Sequence, residues 1–587
     1  MLLKFSKILL PLGLSFAAGC TRPEVAPTSL LGLFIDSPKD DGPFTQPEAA
    51  FISLIAEGRD IPENSDYAIQ PFTPGMDITL PKMPFGTKLQ VRVDMYSANA
   101  DNQPAALIGR GLCMPLDINK SDAAPLQRRA YVTRTNKFSP AEDENHLKAA
   151  LTEARIAGMT ATLPDGRVMF MGGGALKKDA KSAFDVKNFQ TFTDSVDLFD
   201  PDSRTVTKMN NSQGAPVILA KPRAFATAAS GATSVVVVGG YTMEGGEAKF
   251  SDTIEFYNPT ADGFVTSAAT NANLRFARAQ PTVIQMFANQ DYFLILGGLD
   301  AGPCKDDDLS DDGACASNTW EVWHPVSGNL AQGRLSTSRW NHAAVRLPGQ
   351  GSGFAMLIGG ENAAGPLDSI EVIQFTGTKV SSANIDPEDL ELCPLANPKG
   401  PADGPRVLAD KCQPIILELP DKAPRILPGA VFVSRPAYTD AKITRPAYNY
   451  VYIVGGFGDS AKTKPSARID IYDISGEFIT GAPVQLNTPR GAPLVTAVTN
   501  GPGLGQVLVA GGSASVTSPL SSAEVVAFDD ANKLIAVRPV DNAMPDGNRT
   551  FGNAIPLATG YVMLFGGVGG SSAAALARNS LPLWNPF

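Results

Sequence analysis

Three sets of residues in this sequence are of types that do chemistry. The largest is a series of seven arginines: Arg155, Arg223, Arg278, Arg339, Arg425, Arg490 and Arg549. A guanidinium grips a carboxylate through two parallel hydrogen bonds, so arginines ringing one mouth of a channel would form an anion-binding site. Each could equally pair with an acid that recurs downstream, such as Asp197 or Glu255, and lock its unit in place. A residue that recurs in every unit usually serves the unit, which favours the second role. The next set is the acidic stretch Lys305 to Gly313, in which Asp308, Ser310 and Asp312 alternate before a glycine. That is the first half of a calcium-loop spacing, with calcium as the implied cofactor, but Thr319 stands where the closing glutamate belongs. A solvated acidic loop is the plainer reading. The last set is the three histidines, His146, His324 and His342. Three are few for metal or acid–base work, and no nucleophile–base pair stands out. Trp320 and Trp323 could stack on a sugar, but their place in the repeat makes them core residues.

The elements that must position these residues recur. Apolar runs ending in Gly-Gly occur seven times, with first glycines at Gly172, Gly239, Gly297, Gly359, Gly455, Gly511 and Gly566. The spacings are 67, 58, 62, 96, 56 and 55 residues. One arginine precedes the first strand of each unit, and a strand bearing an acid follows most diglycines, as in Val196-Asp197-Leu198-Phe199. The last copy, Leu581-Pro582-Leu583-Trp584, lacks the acid. Short apolar strands cannot bury a face alone, whereas four-stranded sheets stacked radially cover one another. With 55 Gly, 47 Pro and only 18% charged residues, the composition suits many short strands and turns. The net charge of −10 argues against nucleic acid as a partner.

Arginine, diglycine and acid in one order, seven times over, resemble the kelch repeat. The resemblance covers about residues 150 to 587 and implies an all-β fold, a seven-bladed kelch-type β-propeller at 127–587. The chain ends after the third strand of the seventh unit. An outer strand is therefore expected from upstream, with residues 129–137 pairing beside 580–586. His342 occupies a position often histidine in kelch repeats, which suggests a packed role. Galactose-oxidase-like enzymes share such a propeller and hold copper with histidines and tyrosines, but no second propeller histidine pairs with His342 here.

Residues 27–122 read as a separate module. Leu89 to Met95 alternate apolar and polar, and Leu30–Ile35, Ala50–Ile55, Ile78–Leu80 and Ala106–Met114 are further strand candidates. The pattern looks like a small Ig-like or fibronectin-like β-sandwich. Residues 141–152 are expected to form a short helix that links it to the first blade.

The amino terminus reads as an address. Lys4 and Lys7 precede a short apolar run that ends in Ala17-Ala18-Gly19-Cys20. Small residues before a cysteine resemble the bacterial lipobox. This implies a lipoprotein signal peptide at 1–19, lipid such as palmitate on Cys20, and a tether at 20–26. Thr21 in place of aspartate favours the outer membrane, by resemblance to Gram-negative lipoprotein sorting. Later segments are too polar to cross a bilayer, so a soluble body on a lipid tether is expected. Outside the cytoplasm thiols tend to pair. Cys304 and Cys315, and Cys393 and Cys412, flank short irregular stretches and are expected to form two local disulfides, with Cys113 a buried free thiol. The reading that follows is a lipid-anchored envelope protein that binds a protein or glycan through loops of one propeller face. The face expected to do so carries the 304–315 insert and the long stretch between Phe375 and Arg425. The alternative is an exported carbohydrate-active or copper-radical enzyme.

Overall fold

A computed structural model describes residues 31–44, 49–57, 69–73, 76, 78, 80, 83–120, 122, 126–300, 315–348, 352–377, 390–392, 415–436, 438–439, 444–445, 447–474, 477–479, 484–529, 534–571 and 574–586. The described chain is all-β and built of many small, mostly antiparallel sheets. Among the described residues, no helix is long and apolar enough to cross a membrane.

The amino-terminal module contains β1 (Leu31–Asp36), β2 (Phe51–Glu57), β3 (Gln70–Pro71), β4 (Gly86–Ala98), β5 (Pro104–Leu112), β6 (Leu116–Ile118), β7 (Leu126–Tyr131) and β8 (Thr133–Arg134). Strands β3, β2, β4, β5 and β8 lie side by side, β6 joins β4, and β1 pairs with β7 in parallel. Alternation places Leu33, Ile35, Ile52, Leu54, Val91 and Val93 in one core between the two layers. The module therefore runs past the expected limit at 122, because residues 126–134 complete its sheets. The helix expected at 141–152 does not form. Asp143 accepts hydrogen bonds from the amides of Asn145 and Leu147, 2.8 and 2.9 Å, and so closes a turn, with bridges Glu142–Lys148 and Ala150–Ser580 on either side.

Among the described residues, the sheets of four or five strands that follow each open with a first strand beside that of the next. The first comprises Met159–Thr162, Val168–Met171, Val196–Asp200 and Thr205–Lys208. The second comprises Thr227–Ser230, Val235–Val238, Ile254–Asn258 and Gly263–Val265. The third comprises Thr282–Gln285, Phe293–Leu296, Thr319–His324 and Gly328–Arg334. The remaining first strands are Ala343–Pro348, Gly429–Arg435, Leu494–Ala497 and Asn553–Pro556, and the last of these lies against Met159–Thr162. Second strands such as Val235–Val238 and Phe293–Leu296 are buried along their whole length, which is why they read as continuous apolar runs. This closed order of antiparallel sheets is consistent with a β-propeller.

In the seventh sheet the outer strand is β9 (Phe138–Pro140), with Trp584 opposite Phe138 and Pro582 opposite Pro140. The expected donor, 129–137, is corrected: its first part is the module's β7, and the pairing piece begins at Phe138. In the fourth sheet, Leu390–Leu392 and Ile415–Glu418 both pair with Ser369–Gly377. The long stretch between Phe375 and Arg425 was expected in the connection to the next repeat; its residues 378–389 and 393–414 lie outside the described residues.

The module is docked on the seventh and first sheets through buried polar groups. Tyr561 donates to the carbonyl of Arg110, 2.8 Å, and to that of Tyr131. The Asn585 amide donates to the carbonyls of Arg110 and Thr133 and to the Thr133 hydroxyl, 2.9–3.1 Å. Arg204, 2% exposed, pairs with Asp36 at 2.7 Å and lies over the Tyr131 ring.

Candidate functional site

The repeat arginines come first because they fix everything around them. All seven are 0–1% exposed. Arg155 pairs with Asp197, Arg278 with Glu321 and Arg425 with Asp470, each at 2.6 Å; Arg490 pairs with Glu524 at 2.7 Å, and Arg223 with Glu255. Arg339 and Glu371 stand 3.8 Å apart. In the seventh unit Pro582 occupies the acid's place, and Arg549 turns to Asp546, 2.5 Å away. Burial drives the Arg339 and Arg425 guanidiniums down to about 10 despite their acids. The anion-ring reading is therefore corrected, because these charges are spent inside the protein.

The diglycines explain how one unit grips the next. The second glycine's amide donates to the next unit's arginine carbonyl: Gly173 to Arg223, 2.8 Å, Gly240 to Arg278, 2.8 Å, and so on until Gly567 donates to Arg155, 3.3 Å. A Cβ on Gly239 (φ +61°) would sit 2.3 Å from the Arg278 carbonyl, so only glycine allows this approach. Two residues after each arginine the backbone is left-handed: Ala157, Phe225, Gln280, Asn341, Leu427, Ala492 and Phe551 have φ between 46° and 55°. Phe225 donates its amide to Ala157, Gln280 to Phe225, Leu427 to Asn341 and Ala492 to Leu427, at 2.7–3.0 Å. Together they form a collar. Phe184, from the first sheet's second-to-third connection, packs on it, 4.5 Å from Phe551 and 6.0 Å from Phe457 between ring centres.

The opposite end of the sheets carries the turns between first and second strands and between third and fourth. Between the second and third sheets these turns leave a groove of about 640 Å³. Thr233 and Ser234 come from one sheet's first turn, and Asn258 and Pro259 from its second; Phe287 to Tyr292 and His324 to Val326 come from the neighbour. Asp291 bridges the two. Its Oδ1 accepts from the amides of Ala232 and Thr233, 2.5 and 3.2 Å, and its Oδ2 from the Thr233 hydroxyl, 2.5 Å. Gly231 makes room, since a Cβ there would meet Asp291 at 2.1 Å. The His324 ring lies 4.7 Å from that of Tyr292. Burial lowers the His324 pKa, so the ring is neutral at neutral pH. Ser234 Oγ and Gln290 Oε1 are buried without a protein partner.

The other residues singled out from the sequence lie apart. His342 is buried; its Nε2 contacts the Thr282 hydroxyl at 2.9 Å, and burial with the Arg339 charge pushes its pKa down to about 3. His146 lies 3.4 Å from Glu142. Trp320 and Trp323 are fully buried in two separate cores. Cys113 is a buried free thiol, pushed up to about 11 by burial. Cys315 is buried in Cys315–Ala316, and its expected partner lies outside the described residues. Cys20, Cys304, Cys393 and Cys412, with the calcium candidates Asp308, Ser310 and Asp312, lie outside the described residues. Among the described residues, no three His, Cys, Asp or Glu side chains cluster as a metal site would need.

No protein-family model matches this sequence, and no curated protein matches it. Among solved structures, one titled "Structure of YjhT" is similar at 13% identity with a TM-score of 0.37, covering 66% of this chain and 99% of that one.

Proposed function

We propose that this protein is a non-catalytic binding protein of the cell envelope. In this reading a seven-bladed kelch-type propeller and an Ig-like or fibronectin-like module form one body, tethered to the outer membrane by lipid on Cys20. Disulfides Cys304–Cys315 and Cys393–Cys412 brace the two inserts. The observation that carries the binding role is the groove between the second and third sheets, an apolar recess of ligand size lined with partnerless polar atoms. The binding surface is then the hairpin end of the sheets rather than the loop face expected from the sequence.

The test is capture from envelope fractions by the full-length protein. The exposed Asn289 replaced by Trp fills the groove and is expected to abolish capture, whereas Lys178→Ala at the arginine end leaves it unchanged. Labelling with radioactive palmitate, lost in Cys20→Ala, checks the anchor. Turnover of a sugar or alcohol panel, or copper in the purified protein, would replace this reading with the enzymatic alternative.

A further inference from the structure

We propose that the groove holds one ring of an uncharged carbohydrate. This inference rests on the groove being the binding site and names what occupies it. The volume of about 640 Å³ suits one or two sugar rings. Phe256, Phe287, Pro325 and Val326 give it an apolar lining, and Val326 is 78% exposed at its rim. A pyranose offers an apolar C–H face to such a surface and hydroxyls around its edge.

The polar atoms match that edge. Ser234 is 7% exposed, and its hydroxyl has no partner in the protein. Gln290 Oε1 is likewise buried and unpartnered, and it can only accept. A buried polar atom left unpaired is costly, so both atoms gain from a ligand that brings hydroxyls. The charges exclude other ligands. Among the described residues no lysine or arginine lines the groove, so an anionic ligand would find no counter-charge there. Asp291, the carboxylate in the lining, already accepts from Ala232 and Thr233, which leaves little for a cation. His324, tilted against the Tyr292 ring, adds a neutral ring.

The experiment titrates full-length protein, held in a zwitterionic sugar-free detergent, with methyl glucoside, methyl galactoside and N-acetylglucosamine. Galacturonate and glucosamine are the charged counterparts. Saturation-transfer NMR reads contact, and calorimetry reads affinity. At least one neutral sugar is expected to saturate the site and to bind about tenfold or more tighter than its charged counterpart. Ser234→Ala should weaken it about 3- to 10-fold, the loss of one hydrogen bond. Asn289→Trp should abolish it. Preference for the charged sugars, or neutral binding untouched by Asn289→Trp, would overturn the proposal. If no sugar binds but Asn289→Trp still abolishes capture of an envelope component, the ligand class falls and the binding role stands. If neither sugars nor capture respond to the groove, both fall.

Discussion

At the arginine end of the repeat sheets, each repeat buries an arginine near its diglycine, and each diglycine donates to the next arginine's carbonyl. At the hairpin end the turns differ in length and sequence, and two sheets part around a groove. The first end pairs most of its charges internally, although the Nε atoms of Arg155, Arg339 and Arg549 and Gln280 Oε1 stay buried without a partner, and no open groove reaches them among the described residues. The second leaves Ser234 and Gln290 unpaired. Sevenfold repetition marks what the fold needs, and the exception marks what a ligand could use. The contrast can be broken or sharpened by substitution at either end.

The largest effect should come from an arginine pair. Glu321→Ala removes the carboxylate that the fully buried Arg278 contacts at 2.6 Å and should cost about 3–5 kcal/mol by denaturant unfolding. Replacing both residues by apolar ones of similar size should recover most of that loss. A loss below about 1 kcal/mol would mean that the pairs are not what holds the repeat.

Acid should expose His342 next. Its pKa is about 3 in the folded protein and about 6.5 when unfolded, so below pH 6.5 the unfolded chain binds the extra proton. Stability from this group is therefore complete above pH 6.5 and falls as pH drops towards 3, by about 3 kcal/mol at pH 4. In His342→Gln the melting temperature should depend less on pH across that window.

The seventh unit breaks the pattern in a way that can be repaired. Asp546→Ala should cost about 2 kcal/mol, less than Glu321→Ala because Asp546 is 18% exposed. Adding Pro582→Glu restores the acid at the position that Asp197 and Glu255 hold in their units. If thermal melts show no rescue, the equivalence of these positions fails.

Much of the arginine end was legible because its signals are chemical identities at fixed order: Arg, Gly-Gly, then Asp or Glu. The left-handed collar was not. Ala157, Phe225, Leu427 and Ala492 give no sequence sign of positive φ, since the neighbouring repeat's carbonyl imposes it. Placing glycine at Ala492 should relieve that conformation and stabilise the protein by up to about 1 kcal/mol, read from the unfolding midpoint. The closing strand was misplaced because residues 129–131 and 138–140 both look extended, and partner choice is decided by Trp584 packing beside Phe138 in one cluster.

The groove was illegible for a different reason. Its residues come from four turns spread between Ala232 and Val326, and no spacing links Ser234 to Gln290 until the two sheets are side by side. The same dispersion makes it separable from the fold. Ser234→Ala removes one hydroxyl that no protein atom uses, so it should change stability by less than about 0.5 kcal/mol while lowering ligand affinity. An unchanged melting curve with weakened binding would show that this end of the molecule is free to serve a ligand. A large loss of stability would instead make Ser234 part of the scaffold, and the contrast between the two ends would fail where it matters most.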